Sequence, residues 1–140
     1  MTATFQGVGT LQFTPDNKHA FITSGEKSTP SSTAEVTLLE FETQSYYLIA
    51  KVLFSYSDSF DTDNLKHSIL FDDVSIFEYS VTGASTYTEP DNYIPLIIPP
   101  FTNVKMNTQN LSGNARSVWN LITAEVKGPI EQFDLEVKNE

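Results

Sequence analysis

Residues 45–56 read Ser-Tyr-Tyr-Leu-Ile-Ala-Lys-Val-Leu-Phe-Ser-Tyr, and their periodicity decides the fold class. Tyr46, Leu48, Ala50, Val52, Phe54 and Tyr56 recur at every second position, which places them on one face of a strand. Tyr47, Ile49 and Leu53 make the other face apolar too, with Lys51 as the lone charge, its stem long enough to snorkel to a rim. Ala34–Glu42, with Val36, Leu38, Leu39 and Phe41, is likewise apolar on both faces. Strands of this kind lie mid-sheet, or have the second face covered by another layer or another subunit.

Working outward, period 2 persists. In Arg116–Lys127, Val118, Ile122, Ala124 and Val126 share one face, interrupted by Asn120, while Trp119 and Leu121 start the other. Val104 and Met106 alternate with polar neighbours, and Phe133, Leu135 and Val137 do the same between Ile130 and Lys138. Turn residues separate the strands. Thr14-Pro15-Asp16-Asn17 divides a strand around Thr10–Thr14 from one around His19–Thr23. Polar loops are expected at Ser24–Thr33, Ser57–Asn64 and Thr82–Asn92, and a tight turn at Gln109–Asn114. About nine short strands and no amphipathic helix predict an all-β chain, an antiparallel β-sandwich of jelly-roll-like or related type, with a barrel as the alternative. At 140 residues the expectation is a single β domain over residues 1–140.

The composition excludes several chemistries. Eight Lys and Arg face 18 Asp and Glu, a formal charge of -10, and the isoelectric point is near 4.4. No concentrated basic surface is available for nucleic acid or anionic membrane, and neither is expected as a partner. Without cysteine there is no disulfide, thiolate nucleophile or thiolate metal site. The N-terminus, Met1-Thr2-Ala3-Thr4-Phe5-Gln6-Gly7, has neither the basic nor the apolar region of a signal peptide. The most apolar run is too short and too proline-rich to span a bilayer. The chain is expected to be made in the cytoplasm and to stay soluble.

The acidic loop Asp58–Asn64 invites Ca²⁺, a cation that wants several carboxylate and carbonyl oxygens. An EF-hand pattern from Asp61 nevertheless fails, because Leu65 occupies a ligand position and Lys66 the place of the turn glycine. A solvated loop explains the charges as well. Asp72-Asp73 would form an acid–base pair only if both faced one cleft. Strand neighbours point to opposite faces, so a bulge or tight turn accounts for the pair equally. His19 and His67 stand apart from any nucleophile motif. Gly7-Val8-Gly9 precedes no helix of the kind that cradles phosphate. Asn110-Leu111-Ser112 matches a glycosylation acceptor, a chance match in a chain without a secretory route. No catalytic residue, cofactor or metal is assigned.

Asn92–Phe101 holds Pro95, Pro99 and Pro100 among Ile94, Leu96, Ile97, Ile98 and Phe101. Prolines cannot donate ladder hydrogen bonds and belong on edges, where they guard against uncontrolled pairing. The stretch reads either as a guarded edge closing one end of the core or as an apolar contact for another subunit.

Thr37–Thr43 leading into Ser45–Val52, then Asp91–Lys105 with its "PLIIPPFTNVK" run, then Leu121–Gly128 together resemble small, mostly uncharacterised all-β proteins of tailed bacteriophages and other viruses of aquatic microbes. The resemblance covers residues 34–128 and carries no catalytic motif. It implies a structural virion component (tail, baseplate or capsid-associated) that works as a homo-oligomer, a trimer above all, or with other virion proteins. A second reading is a carbohydrate- or small-ligand-binding module, receptor-binding or lectin-like, with Tyr56, Phe60, Tyr87 and Tyr93 as stacking side chains. Ordinary strand-end packing is the simpler account of those rings.

Overall fold

The computed structural model describes residues 9–29, 33–56, 60–84, 93–111 and 115–128, with side chains described for all of these except 56, 60–63 and 82–84. The expected strand at Ile130–Lys138 lies outside them. Ten strands follow in chain order: β1 (Thr10–Phe13), β2 (His19–Thr23), β3 (Lys27–Ser28), β4 (Glu35–Glu42), β5 (Tyr47–Tyr56), β6 (Phe60–Phe71), β7 (Val74–Ala84), β8 (Ile94–Ile98), β9 (Asn103–Asn110) and β10 (Ser117–Lys127). The described residues contain no helix, so none long and apolar enough to cross a membrane.

The strands form two antiparallel sheets. Sheet A runs β1-β2-β10-β5-β8, with β3 also pairing β10, and sheet B runs β4-β9-β6-β7. The pairings nest: β6 with β7, β5 with β8, β4 with β9, and β2 with β10. This is one long antiparallel hairpin, tip at Asp72-Asp73, rolled so that successive strands alternate between sheets. That winding is the jelly-roll sandwich, and no closed barrel forms.

Turn chemistry sets the tip. Asp72 and Asp73 both have positive φ, 49° and 67°, as a two-residue turn matched to strand twist requires, and Asp tolerates that region better than most residues. At the β1–β2 turn the Asp16 carboxylate accepts from the Thr14 hydroxyl (2.7 Å) and the Lys18 amide (3.2 Å). These bonds, the Thr14 hydroxyl first, hold its pKa below the ordinary carboxylate value.

The core is the seam between the sheets. Tyr46, Leu48, Ala50, Val52 and Phe54 are all buried, while Ile49 on the alternate face is 43% exposed, as the period of two over 45–56 predicts. They meet Phe41, Ile69, Val104, Met106 and Ile122 in one cluster. Each fully buried large side chain contributes roughly 1.5–3 kcal/mol.

Three details differ from the sequence expectation. β5 lies mid-sheet, but β4 is the edge of sheet B. Its doubly apolar pattern arises from a register shift between Thr37 and Leu39. The shift lets Leu38 join Leu65 and Val118 in a second cluster while Leu39 joins the main one. The acidic segment expected as a loop is already strand from Phe60, which pairs Ala84 at the far end of β7, so the third loop also starts later than Thr82. Within Ser24–Thr33 the short β3 pairs β10.

The flanks of the sandwich follow from contacts. A Cβ on Gly9 would lie 2.5 Å from Leu39 Cδ1, so the chain entering β1 abuts β4; the Thr23 carbonyl oxygen, 2.6 Å from that Cβ, and the φ of +106° make glycine the residue that fits. At the opposite flank Phe54 on β5, the neighbour of β8, lies 6.0 Å from Tyr79 on β7. The edge strands β7 and β8 therefore share one flank.

Candidate functional site

The two adjacent carboxylates at the hairpin tip are divided by the turn. Asp72 accepts the Asn103 amide (2.9 Å), and Asp73 meets the Lys105 ammonium at 2.6 Å. Hydrogen bonding to Asp73 raises the Lys105 pKa. Each carboxylate serves to tie the tip to β9, and they share no cleft.

His67 is fully buried. Its ring stacks on Phe54 (4.4 Å, 21° between planes) and on Tyr79 (5.8 Å, 25°), and its Nδ1 lies 3.0 Å from Thr108 Oγ1. Burial pushes its pKa down to about 4. A neutral imidazole clustered with two aromatic rings packs as a core residue.

His19 is exposed and opposes Glu125 in the β2–β10 register. Acid–base work would need the imidazole hydrogen-bonded to an orienting carboxylate, and no hydrogen bond or ion pair joins the two. Glu125 instead pairs with Lys127 at 3.4 Å. Of the acidic segment, Asp58 and Ser59 and the side chains of Phe60–Asp63 lie outside the described residues. Among the described residues no three His, Asp or Glu gather as a metal site. Asn110 is fully buried and its amide donates to Thr29 Oγ1 at 3.2 Å, which removes it as a glycosylation acceptor.

The proline-rich stretch divides by parity. Ile98 is fully buried, and Ile94 and Leu96 pack partly buried against the core. Ile97 and Phe101 are 63% and 62% exposed, with Pro95 and Pro99 exposed and Pro100 half-buried. Phe101 has φ +53° in the turn behind Pro100, where its amide donates to the Gln44 carbonyl (2.8 Å). The same flank exposes Val74, Ile76 and Tyr79 on β7. The prolines flagged β8 in the sequence. The exposure of β7 was not legible in the sequence, because which strand ends as an edge depends on pairing across the fold.

A second surface feature lies on the outer face of sheet A, a depression of about 590 Å³. The row Gln12–Phe21–Thr123–Lys51–Pro95 crosses it in direct register from β1 to β8. A parallel row carries His19, Glu125 and Ile49. Tyr93 stands at one end, with the Lys51 ammonium 4.8 Å from its ring centre. Of the four aromatics singled out as stacking residues, Tyr93 alone falls here. Tyr87 and the side chains of Tyr56 and Phe60 lie outside the described residues.

No family model and no curated protein matches the chain. Among solved structures it is similar to VP2 of infectious bursal disease virus in a subviral particle, with 16% identity and a TM-score of 0.47 over 86% of this chain. It is similar also to infectious bursal virus-derived T=1 particles, with 15% identity and a TM-score of 0.43 over 89% of this chain. The match covers 38% and 43% of those chains, so this chain spans less than half the length of the proteins it is similar to.

Proposed function

We propose that the chain is a non-enzymatic structural protein that assembles with further copies of itself through the β7/β8 flank. Phe101 is the observation that carries this reading. A bulky aromatic in the left-handed region costs on the order of 1 kcal/mol, yet Phe101 recovers little of it by burial, being 62% exposed. Folding alone would favour glycine there. A side chain held out at a cost to the monomer belongs to a contact made with something else.

Charge argues that the partner is a second copy. The chain carries -10, so like chains repel except across a face free of charge. Tyr93–Phe101 contains no charged residue, and Val74–Ala84 only Glu78, which lies 3.7 Å from Lys66. A cationic partner would be drawn elsewhere, to the acidic face. Pro95 and Pro99 remove donors from the β8 edge, so contact is by side-chain packing rather than an extended ladder.

The viral setting, with a role in a tail, baseplate or capsid and residence in a virion or the host cytoplasm, rests on the resemblance over residues 34–128. Jelly rolls build capsid and lectin domains alike, so fold alone does not choose. Size-exclusion chromatography with light scattering tests the reading. A defined homo-oligomer, the trimer expected, supports it, and a clean monomer at high concentration overturns it.

A further inference from the structure

We propose that the depression on the outer face of sheet A is a binding site for an oligosaccharide, sharing only Tyr93 and Pro95 at the start of β8 with the flank through which the chain assembles. A sugar ring presents an apolar C–H face and a rim of hydroxyls that both donate and accept. Its receptor therefore needs exposed aromatic surface beside uncommitted polar groups of both kinds. Phe21 is 43% and Tyr93 39% exposed. Between them Gln12 and Thr123 supply donors and acceptors, and Lys51 donors.

The contrast with sheet B shows that these polar groups are uncommitted. On sheet B's outer face, neighbouring side chains bond one another: Thr37 with Asn107 (2.8 Å), Asn103 with Glu40 (3.1 Å) and Asn107 with Glu35 (3.4 Å). On sheet A the side chains of Gln12, Thr123 and Lys51 make no hydrogen bond to the described residues, and Lys51 is engaged only by the Tyr93 ring. One face is closed on itself, and the other is open to a ligand.

Other ligand classes fit less well. A phosphate-bearing ligand would want several cations, whereas Lys51 is the one Lys or Arg among the described residues lining the depression. A purely apolar ligand would want an enclosed pocket rather than an open floor that carries polar groups. The volume, about 590 Å³, falls in the usual range of roughly 300–1,000 Å³ for ligand sites. Phe21 on β2 and the start of β8 are three strand spacings apart, about 14 Å, which is too far for one ring to touch both aromatics. That spacing selects an oligosaccharide over a single sugar.

A glycan array of neutral and acidic oligosaccharides, probed with the full chain, provides the test. Calorimetric titration of the best ligand follows, into the chain and into Phe21→Ala, Lys51→Ala and Gln12→Ala variants whose melting shows that they fold. Binding should survive EDTA, since the face holds one carboxylate, and Phe21→Ala should weaken it about tenfold. Lys51→Ala and Gln12→Ala, at exposed positions, keep the location testable if Phe21→Ala melts early. No glycan bound, binding abolished by EDTA, or binding unchanged in the folded variants overturns the site. Phe101→Gly should weaken assembly and leave the calorimetric glycan affinity unchanged, which separates failure of this site from failure of the assembly reading.

Discussion

Phe101 and His67 show how single positions divide stability from function. Replacing Phe101 (φ +53°) by glycine relieves the left-handed strain and adds chain entropy to the unfolded state. The balance should raise the stability of the separated subunit by roughly 0.5 kcal/mol, while the oligomer weakens. Thermal melting at a dilution where the wild type is dissociated, together with light scattering, reads both effects, and a variant destabilised as a monomer would remove the strain argument. His67 sets a pH dependence. Its pKa falls from 6.5 to about 4 on folding, through burial, so the unfolded chain binds the proton more readily. The stability that neutral His67 confers is fully present above pH 6.5 and is lost as pH falls through 4. The full loss is on the order of 3 kcal/mol. Urea denaturation between pH 7 and pH 4 should show this slope, and His67→Leu should flatten it. An equal slope in that variant would assign the acid sensitivity to other groups.

Strand by strand, much of the fold was legible. The β2 segment His19–Thr23 matches its expected bounds, and the buried set from Tyr46 to Phe54 follows from period 2 alone. Pairing was not legible, because β2 and β10 meet across about a hundred residues of sequence and no local pattern encodes such a partner. The bulge at Leu38 hid for a related reason: an extra residue imitates a strand buried on both faces, and only the register against β9 tells them apart. Of the candidate site, β8 was visible through its prolines. The Gln12–Phe21–Thr123–Lys51–Pro95 row was invisible, since it exists only once five strands are aligned. Asn120 was read as an interruption of β10, and it is one in energy as well. It is fully buried, opposes Phe54, and neither polar atom of its side chain has a partner among the described residues. Burying an unsatisfied amide costs about 1–3 kcal/mol. Asn120→Val, which puts a β-favouring side chain in a central strand, should therefore stabilise the protein by roughly 1–2 kcal/mol in denaturant titration. A loss of stability would instead place an interior water on the amide.

The molecule as a whole is a polyanion with an unequal surface. Sheet B's outer face and the hairpin tip gather Glu35, Glu40, Glu42, Asp72, Asp73 and Glu78 around Lys66 and Lys105, while the β7/β8 flank is apolar and nearly uncharged. Acidity at that density keeps like chains apart, and it gives assembly a salt dependence of definite sign. If copies meet across the flank, no charge pair is made there, and the only long-range electrostatic term is repulsion between the two acidic bodies. Salt shortens the reach of that repulsion from about 30 Å at 0.01 M to about 3 Å at 1 M and leaves apolar burial intact or strengthened. Sedimentation velocity should then show the oligomer gaining population as sodium chloride rises over that range, with Phe101→Gly shifted toward monomer at every salt concentration. Dissociation on adding salt would mean that subunits are joined by ion pairs, which the flank does not offer. The contact would then have to move to a charged face of the sandwich, and Phe101 would be left without an account.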